Sequence, residues 1–71
     1  MSSPRDLPVR GDTIRLGQLL KLADLVDTGA DAKPLLAEGA VSVNGETETR
    51  RGRQLRKGDV VVVGDRSVRV A

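Results

Sequence analysis

The chain contains no cysteine, no histidine and no aromatic residue. Without cysteine there can be neither a disulfide framework nor a Cys-ligated zinc site. Without histidine it lacks the commonest general base and the commonest metal ligand. Without Phe, Tyr or Trp, single-stranded RNA cannot be held by stacking its bases on aromatic rings. No apolar run approaches the ~20 residues that a membrane-crossing helix needs. Residues 1–12 (M-S-S-P-R-D-L-P-V-R-G-D) carry no apolar stretch of the kind a secretory signal requires. These absences predict a soluble cytoplasmic protein with no membrane partner. They also predict that it is not an enzyme and needs no cofactor or metal. No Ser, Thr, Asp or Glu has a His or Cys to work with. Glu46 and Glu48 alternate along one strand instead of forming an acid–base pair, and no glycine-rich run matches a phosphate-cradling loop.

What is present is charge, unevenly placed. The formal net charge of +2 over 71 residues hides two opposite halves. Met1 to Glu48 carries five basic and eight acidic residues, whereas Thr49 to Ala71 carries seven and two. Such polarisation creates a local positive field on a nearly neutral molecule. Nine of the twelve basic residues are Arg, whose planar fork can grip phosphate through paired hydrogen bonds. At this length there is room for one domain with one modest core.

Residues 1–12 hold Pro4, Pro8 and Gly11 and read as a flexible tail, with Val9 touching the body. The domain is expected over residues 13–71. Thr13 and Ile14 read as a short strand. Leu16, Leu19, Leu20 and Ala23, with Leu22 joining them, recur at helical spacing, predicting an amphipathic helix from Leu16 to about Asp24, with Leu25 and Val26 packing the following turn. Thr28-Gly29-Ala30-Asp31 has the form of an N-cap with an acid in the first turn. A helix capped by Thr28 would hold Pro34 in its interior, at a cost of about 3 kcal/mol. A start at Asp31 would put Pro34 in the first turn, where it is tolerated; a late or irregular start is therefore expected. Gly39 suits the C-terminal end.

The most informative stretch runs from Ala40 to Asp59. Val41 and Val43 alternate with polar residues and lead into Asn44-Gly45, a two-residue hairpin signal, with Glu46 to Glu48 returning. Arg50, Arg51, Arg53, Arg56 and Lys57 follow, with Gln54-Leu55 read as a link. Gly58-Asp59 turns into Val60 to Val63, a nearly continuous apolar run expected at the centre of the sheet. Gly64-Asp65 is a further turn, and Val68 and Val70 are expected to point inward. Asn44, Gly45 and Asp59 are read as turn-formers. Glu46 and Glu48 are read as solvated or paired with Arg.

Helix, turn, helix, G-x-V-x-V-N-G, basic loop and K-G-D-x-V, in that order, resembles the S4 RNA-binding domain. The matching portions are Leu16-Gly17-Gln18-Leu19-Leu20-Lys21, Ala32-Lys33, Gly39 to Gly45 and Lys57-Gly58-Asp59. Within that family the runs I-R-L-G-Q-L-L-K, G-A-D-A-K and N-G-E-T-E-T-R-R-G-R-Q-L look closest to the short, stand-alone bacterial S4 proteins of the YbcJ type. The resemblance implies an α+β fold of the S4 (αL motif) kind, a helix pair on a small, mainly antiparallel sheet. It implies a ribosome-associated protein whose partner is structured RNA, ribosomal or tRNA-like; a monomer is expected. By position it assigns RNA contact to Arg15, Lys21 and Lys33 on the helices and to Arg50, Arg51 and Arg53 in the loop. Arg56 and Lys57 extend the same basic cluster. One departure stands out: many S4 domains carry Ser-Arg where this chain has Thr28-Gly29, so one expected phosphate contact is missing. From charge alone, the alternative is a protein-interaction module whose Arg loop meets an acidic protein surface.

Overall fold

Valine alternation builds the sheet. In a computed structural model that describes residues 4–26 and 29–71, the elements in order are β1 (Arg5–Leu7), β2 (Thr13–Arg15), α1 (Leu16–Leu22), α2 (Gly29–Ala37), β3 (Val41–Val43), β4 (Glu46–Thr47), β5 (Gln54–Arg56), β6 (Val60–Val63) and β7 (Arg66–Val70). Val41 and Val43 are buried while Ser42 between them is half-buried, the period-2 pattern of a strand with one face on a core. Asn44 and Gly45 both have positive φ, at 52° and 87°, the pair of left-handed residues that a tight hairpin turn demands. The five-stranded sheet has the order β1-β7-β6-β3-β4, so β6 is central, as its apolar run predicted. All its pairings are antiparallel except β1 with β7. β2 and β5 form a separate antiparallel ribbon. The α+β architecture expected from the sequence is the one observed.

Leu16, Leu19, Leu20, Ala32 and Leu36 from the two helices join Val41, Val43, Val61 and Val70 from the sheet in one core, with Leu55 completing it. Both helices end in the same way. The N–H of Leu25 bonds to Leu20 O and that of Asp24 to Lys21 O; the N–H of Ala40 bonds to Leu35 O and that of Gly39 to Leu36 O. Each is the 6→1 and 5→2 pair that closes a helix around a left-handed residue. That residue is Gly39 (φ 75°) for α2, as expected, and Asp24 (φ 63°) for α1.

Four expectations need correction. Leu22, counted with the apolar face of α1, is 59% exposed, because that face is already filled by Leu16, Leu19 and Leu20. Arg5–Leu7, assigned to a flexible tail, is an edge strand parallel to β7, secured by an ion pair of 2.7 Å between Arg69 and Asp6. Its Arg5 reaches the end of α1, donating from Nη2 to Ala23 O at 2.8 Å. Gln54-Leu55, read as a link, belongs to strand β5, and Leu55 is fully buried. The late start of α2 at Asp31 is not observed. The helix begins by Gly29, so Pro34 lies within it as its sixth residue and deprives Ala30 O of a helical donor. The Thr28 cap and residues 1–3 lie outside the described residues.

Candidate nucleic-acid interface

The basic loop between β4 and β5 is folded by its one acidic residue. Glu48 Oε2 accepts the backbone N–H groups of Thr49 and Arg50 at 3.0 and 3.1 Å, and Oε1 accepts Arg53 Nη1 at 2.9 Å. The Arg53 guanidinium, followed by the Arg50 and Thr49 amides, holds the Glu48 carboxyl below its ordinary pKa. The loop therefore spends one of its cations internally.

The same loop docks on α1. The first N–H groups of any helix have no intrahelical acceptor. Here Leu16 N–H donates to Arg53 O at 2.8 Å and Gly17 N–H to Arg51 O at 2.9 Å. This contact lays the Arg51 side chain across Gly17. A Cβ at that position would overlap Arg51 Cγ and lie 3.1 Å from Cδ. The result is an open cleft of about 380 Å³ lined by Arg15, Gly17, Gln18, Lys21, Arg51 and Gly52. Three cations face it and no carboxylate lines it. Arg51 also forms a wall of a neighbouring cleft with Lys33, Leu36 and Thr49, which joins the α2 cation to the same surface. Among the described residues, no ion pair engages Arg15, Lys21, Lys33, Arg50, Arg51, Arg56 or Lys57.

The other basic residues expected at the site, Arg50, Arg56 and Lys57, do not line this cleft. Arg50 lines a separate open concavity with Glu48, Gly52, Arg53 and Gln54. Arg56 is exposed at the end of β5, opposite Thr13, on the outward face of the ribbon that also carries Arg15 and Gln54. Lys57 lies in the following turn, whose closure belongs to Asp59. Asp59 Oδ2 accepts Arg56 N–H at 2.8 Å, and Oδ1 accepts Asn44 Nδ2 at 3.1 Å. The Arg56 amide and then Asn44 hold the Asp59 carboxyl low. Asn44 Oδ1 in turn accepts Val60 N–H at 2.9 Å, so both residues serve the turns, as read from the sequence. Sequence reasoning missed Gly17, Gln18 and Gly52. The signal for Gly17 was a glycine inside an otherwise good helix, which marks a close approach.

The family described as "S4 domain" matches residues 7–71. The chain belongs to the S4 domain family. Among curated proteins it is 52% identical over 58 residues to "Probable ribosome maturation protein RlbA" of Bacillus subtilis, covering 79% of this chain and 82% of that one. It is 40% identical over 57 residues to "Putative RNA-binding protein YbcJ" of Escherichia coli, covering 80% and 81%. The solution structure of Escherichia coli YbcJ, described as revealing an αL motif involved in RNA binding, matches with a TM-score of 0.73 at 35% identity, over 100% of this chain and 91% of that one. This S4 domain thus has the αL fold, and what its family supports is an RNA-binding module. Among the described residues, no helix is long and apolar enough to cross a membrane.

Proposed function

We propose that this S4 domain is a non-catalytic, cytoplasmic RNA-binding module that acts as a monomer on structured RNA, ribosomal RNA foremost. The observation that carries the reading is the convergence of Arg15, Lys21 and Arg51 on one open cleft with no carboxylate in its lining. Phosphate is the group such a cleft suits, because guanidinium and ammonium donors can meet its oxygens while two glycines keep the walls low. Lys33 extends the surface over α2, and Arg50, Arg56 and Lys57 are assigned outer contacts on the same RNA. Arg53 acts by shaping the loop through Glu48. Shape and backbone recognition suit a structured RNA in a protein that has no aromatic platform. The ribosomal target is favoured by the name of the Bacillus subtilis relative, a ribosome maturation protein.

The test is co-sedimentation with ribosomal particles at low salt. The wild-type protein is expected to travel with them. Arg15→Ala, Lys21→Ala and Arg51→Ala combined should stay behind while melting like the wild type. Polyglutamate competing as well as ribosomal RNA would instead favour an acidic protein surface as the partner.

A further inference from the structure

Beside the cationic cleft, across α1, lies a second one of about 460 Å³ lined by Pro8, Val9, Arg10, Thr13, Ile14, Gln18 and Leu22. Its floor is aliphatic. Leu22 is 59% exposed and is the large apolar side chain that the described part of the molecule leaves in water. Its rim offers Arg10, Thr13 and Gln18, and no carboxylate. Gln18 belongs to both clefts. Its Oε1 faces the Arg15 backbone N–H at 3.4 Å, which leaves the Nε2 donors for a ligand.

We infer that this second cleft receives an unpaired nucleobase of the same RNA whose phosphates occupy the cleft of Arg15, Lys21 and Arg51. The inference rests on the RNA-binding reading above. Three features select this occupant. The two clefts share Gln18, so a strand lying over one reaches the other within one helical turn. Neither lining repels a polyanion, and Arg10 adds a cation to the rim. An apolar floor with amide and guanidinium donors at its edge matches a base, which has an apolar face and acceptor atoms around it. In a chain without aromatic rings, Leu22 with Pro8 and Val9 is the surface on which a base can shed water.

The experiment uses two RNA hairpins of equal length, one fully paired and one with a single bulged 2-aminopurine. The wild-type protein should bind the bulged hairpin severalfold more tightly and change its fluorescence. Leu22→Ser, at an exposed position, should erase that preference, leaving affinity for the paired hairpin and its salt dependence unchanged. Leu22→Trp should strengthen the preference by adding a stacking face. Equal affinity for both hairpins, with Leu22→Ser silent, would overturn the inference while the RNA-binding reading stands. Loss of binding to both hairpins in the wild type would end both. Self-association in sedimentation that Leu22→Ser abolishes would assign the cleft to a second copy instead.

Discussion

Gly17 is the residue at which stability and binding are expected to separate. Alanine is the better helix former by about 0.8–1 kcal/mol. A methyl group there, however, occupies the space of Arg51 Cγ. The arginine must leave its place across α1, and the cleft of Arg15 and Lys21 loses the cation contributed by the loop. Gly17→Ala is therefore expected to melt within a few degrees of the wild type yet bind RNA as weakly as Arg51→Ala. Denaturant unfolding and RNA titration on the same two variants check it. Equal binding by Gly17→Ala and wild type would mean that the position of Arg51 does not matter to the interface.

Glu48 and Asp59 are the carboxyls through which acid is expected to act on the fold. Both carboxyls are held below their ordinary pKa in the folded protein, the first by Arg53 and the Arg50 and Thr49 amides, the second by the Arg56 amide and Asn44. A depressed folded pKa stabilises the native state above the unfolded pKa, and that stabilisation is lost as pH falls through the folded value. Melting temperature should thus drop on acidification through and below the usual carboxylate range. Glu48→Gln and Asp59→Asn should each start lower at neutral pH and fall less steeply. A melting temperature in Glu48→Gln that tracks the wild type at every pH would show that the carboxylate does not hold the loop.

Among the elements, β5 ties the basic loop to the core. Its one apolar residue, Leu55, is fully buried, and its first residue follows directly on Arg53, whose carbonyl receives the Leu16 N–H. The core thereby fixes the end of the basic loop. Leu55→Ala should cost about 2–5 kcal/mol, a large share of the roughly 5–15 kcal/mol typical of a whole domain. Below its melting point, amide exchange at Leu16 and Gly17 should accelerate more than at Val61 in the central strand. Uniform acceleration would mean that β5 supports the fold as a whole and not the loop in particular.

The elements also show what the sequence makes legible. Val41-Ser42-Val43-Asn44-Gly45 could be read because alternation and turn chemistry agree, and the four valines of β6 could be read because nothing interrupts them. β5 and β1 could not. Each is three residues long with a single apolar side chain, so no periodicity exists to detect. Their partners are distant in sequence as well; β1 pairs with the last strand of the chain. Within the site, the basic character was plain from composition. The division of labour was not, because the Glu48–Arg53 pair arises only once the loop folds back on itself. The S4 resemblance assigned RNA contact to α1 and the loop, and the hydrogen bonds from Leu16 and Gly17 to the loop carbonyls join those two elements physically.

At the scale of the whole molecule, the charge halves of the sequence resolve into committed and uncommitted cations. Arg5 holds the end of α1, Arg69 pairs with Asp6, and Arg53 pairs with Glu48. These three are expected to contribute less to an external polyanion than cations without such contacts, because an internal contact must first be given up. Arg15, Lys21 and Arg51 face one cleft with no such partner among the described residues. RNA affinity should report this distinction through its salt dependence, since each neutralised phosphate contributes about 0.7–0.9 to the log–log slope. Arg15→Ala, Lys21→Ala and Arg51→Ala combined should flatten the slope by about 2–3 if each cation meets one phosphate. Arg5→Ala and Arg69→Ala combined should leave it unchanged and lower only the melting temperature. Arg53→Ala belongs between the two. It removes a committed cation but frees Glu48 beside the site, so it should weaken binding by loosening the loop and adding an exposed carboxylate. Glu48→Gln combined with Arg53→Ala should recover part of that loss. If Arg53→Ala alone flattened the slope as much as Arg51→Ala does, Arg53 would be a direct phosphate contact, and the Glu48 pair would be a resting state that RNA breaks.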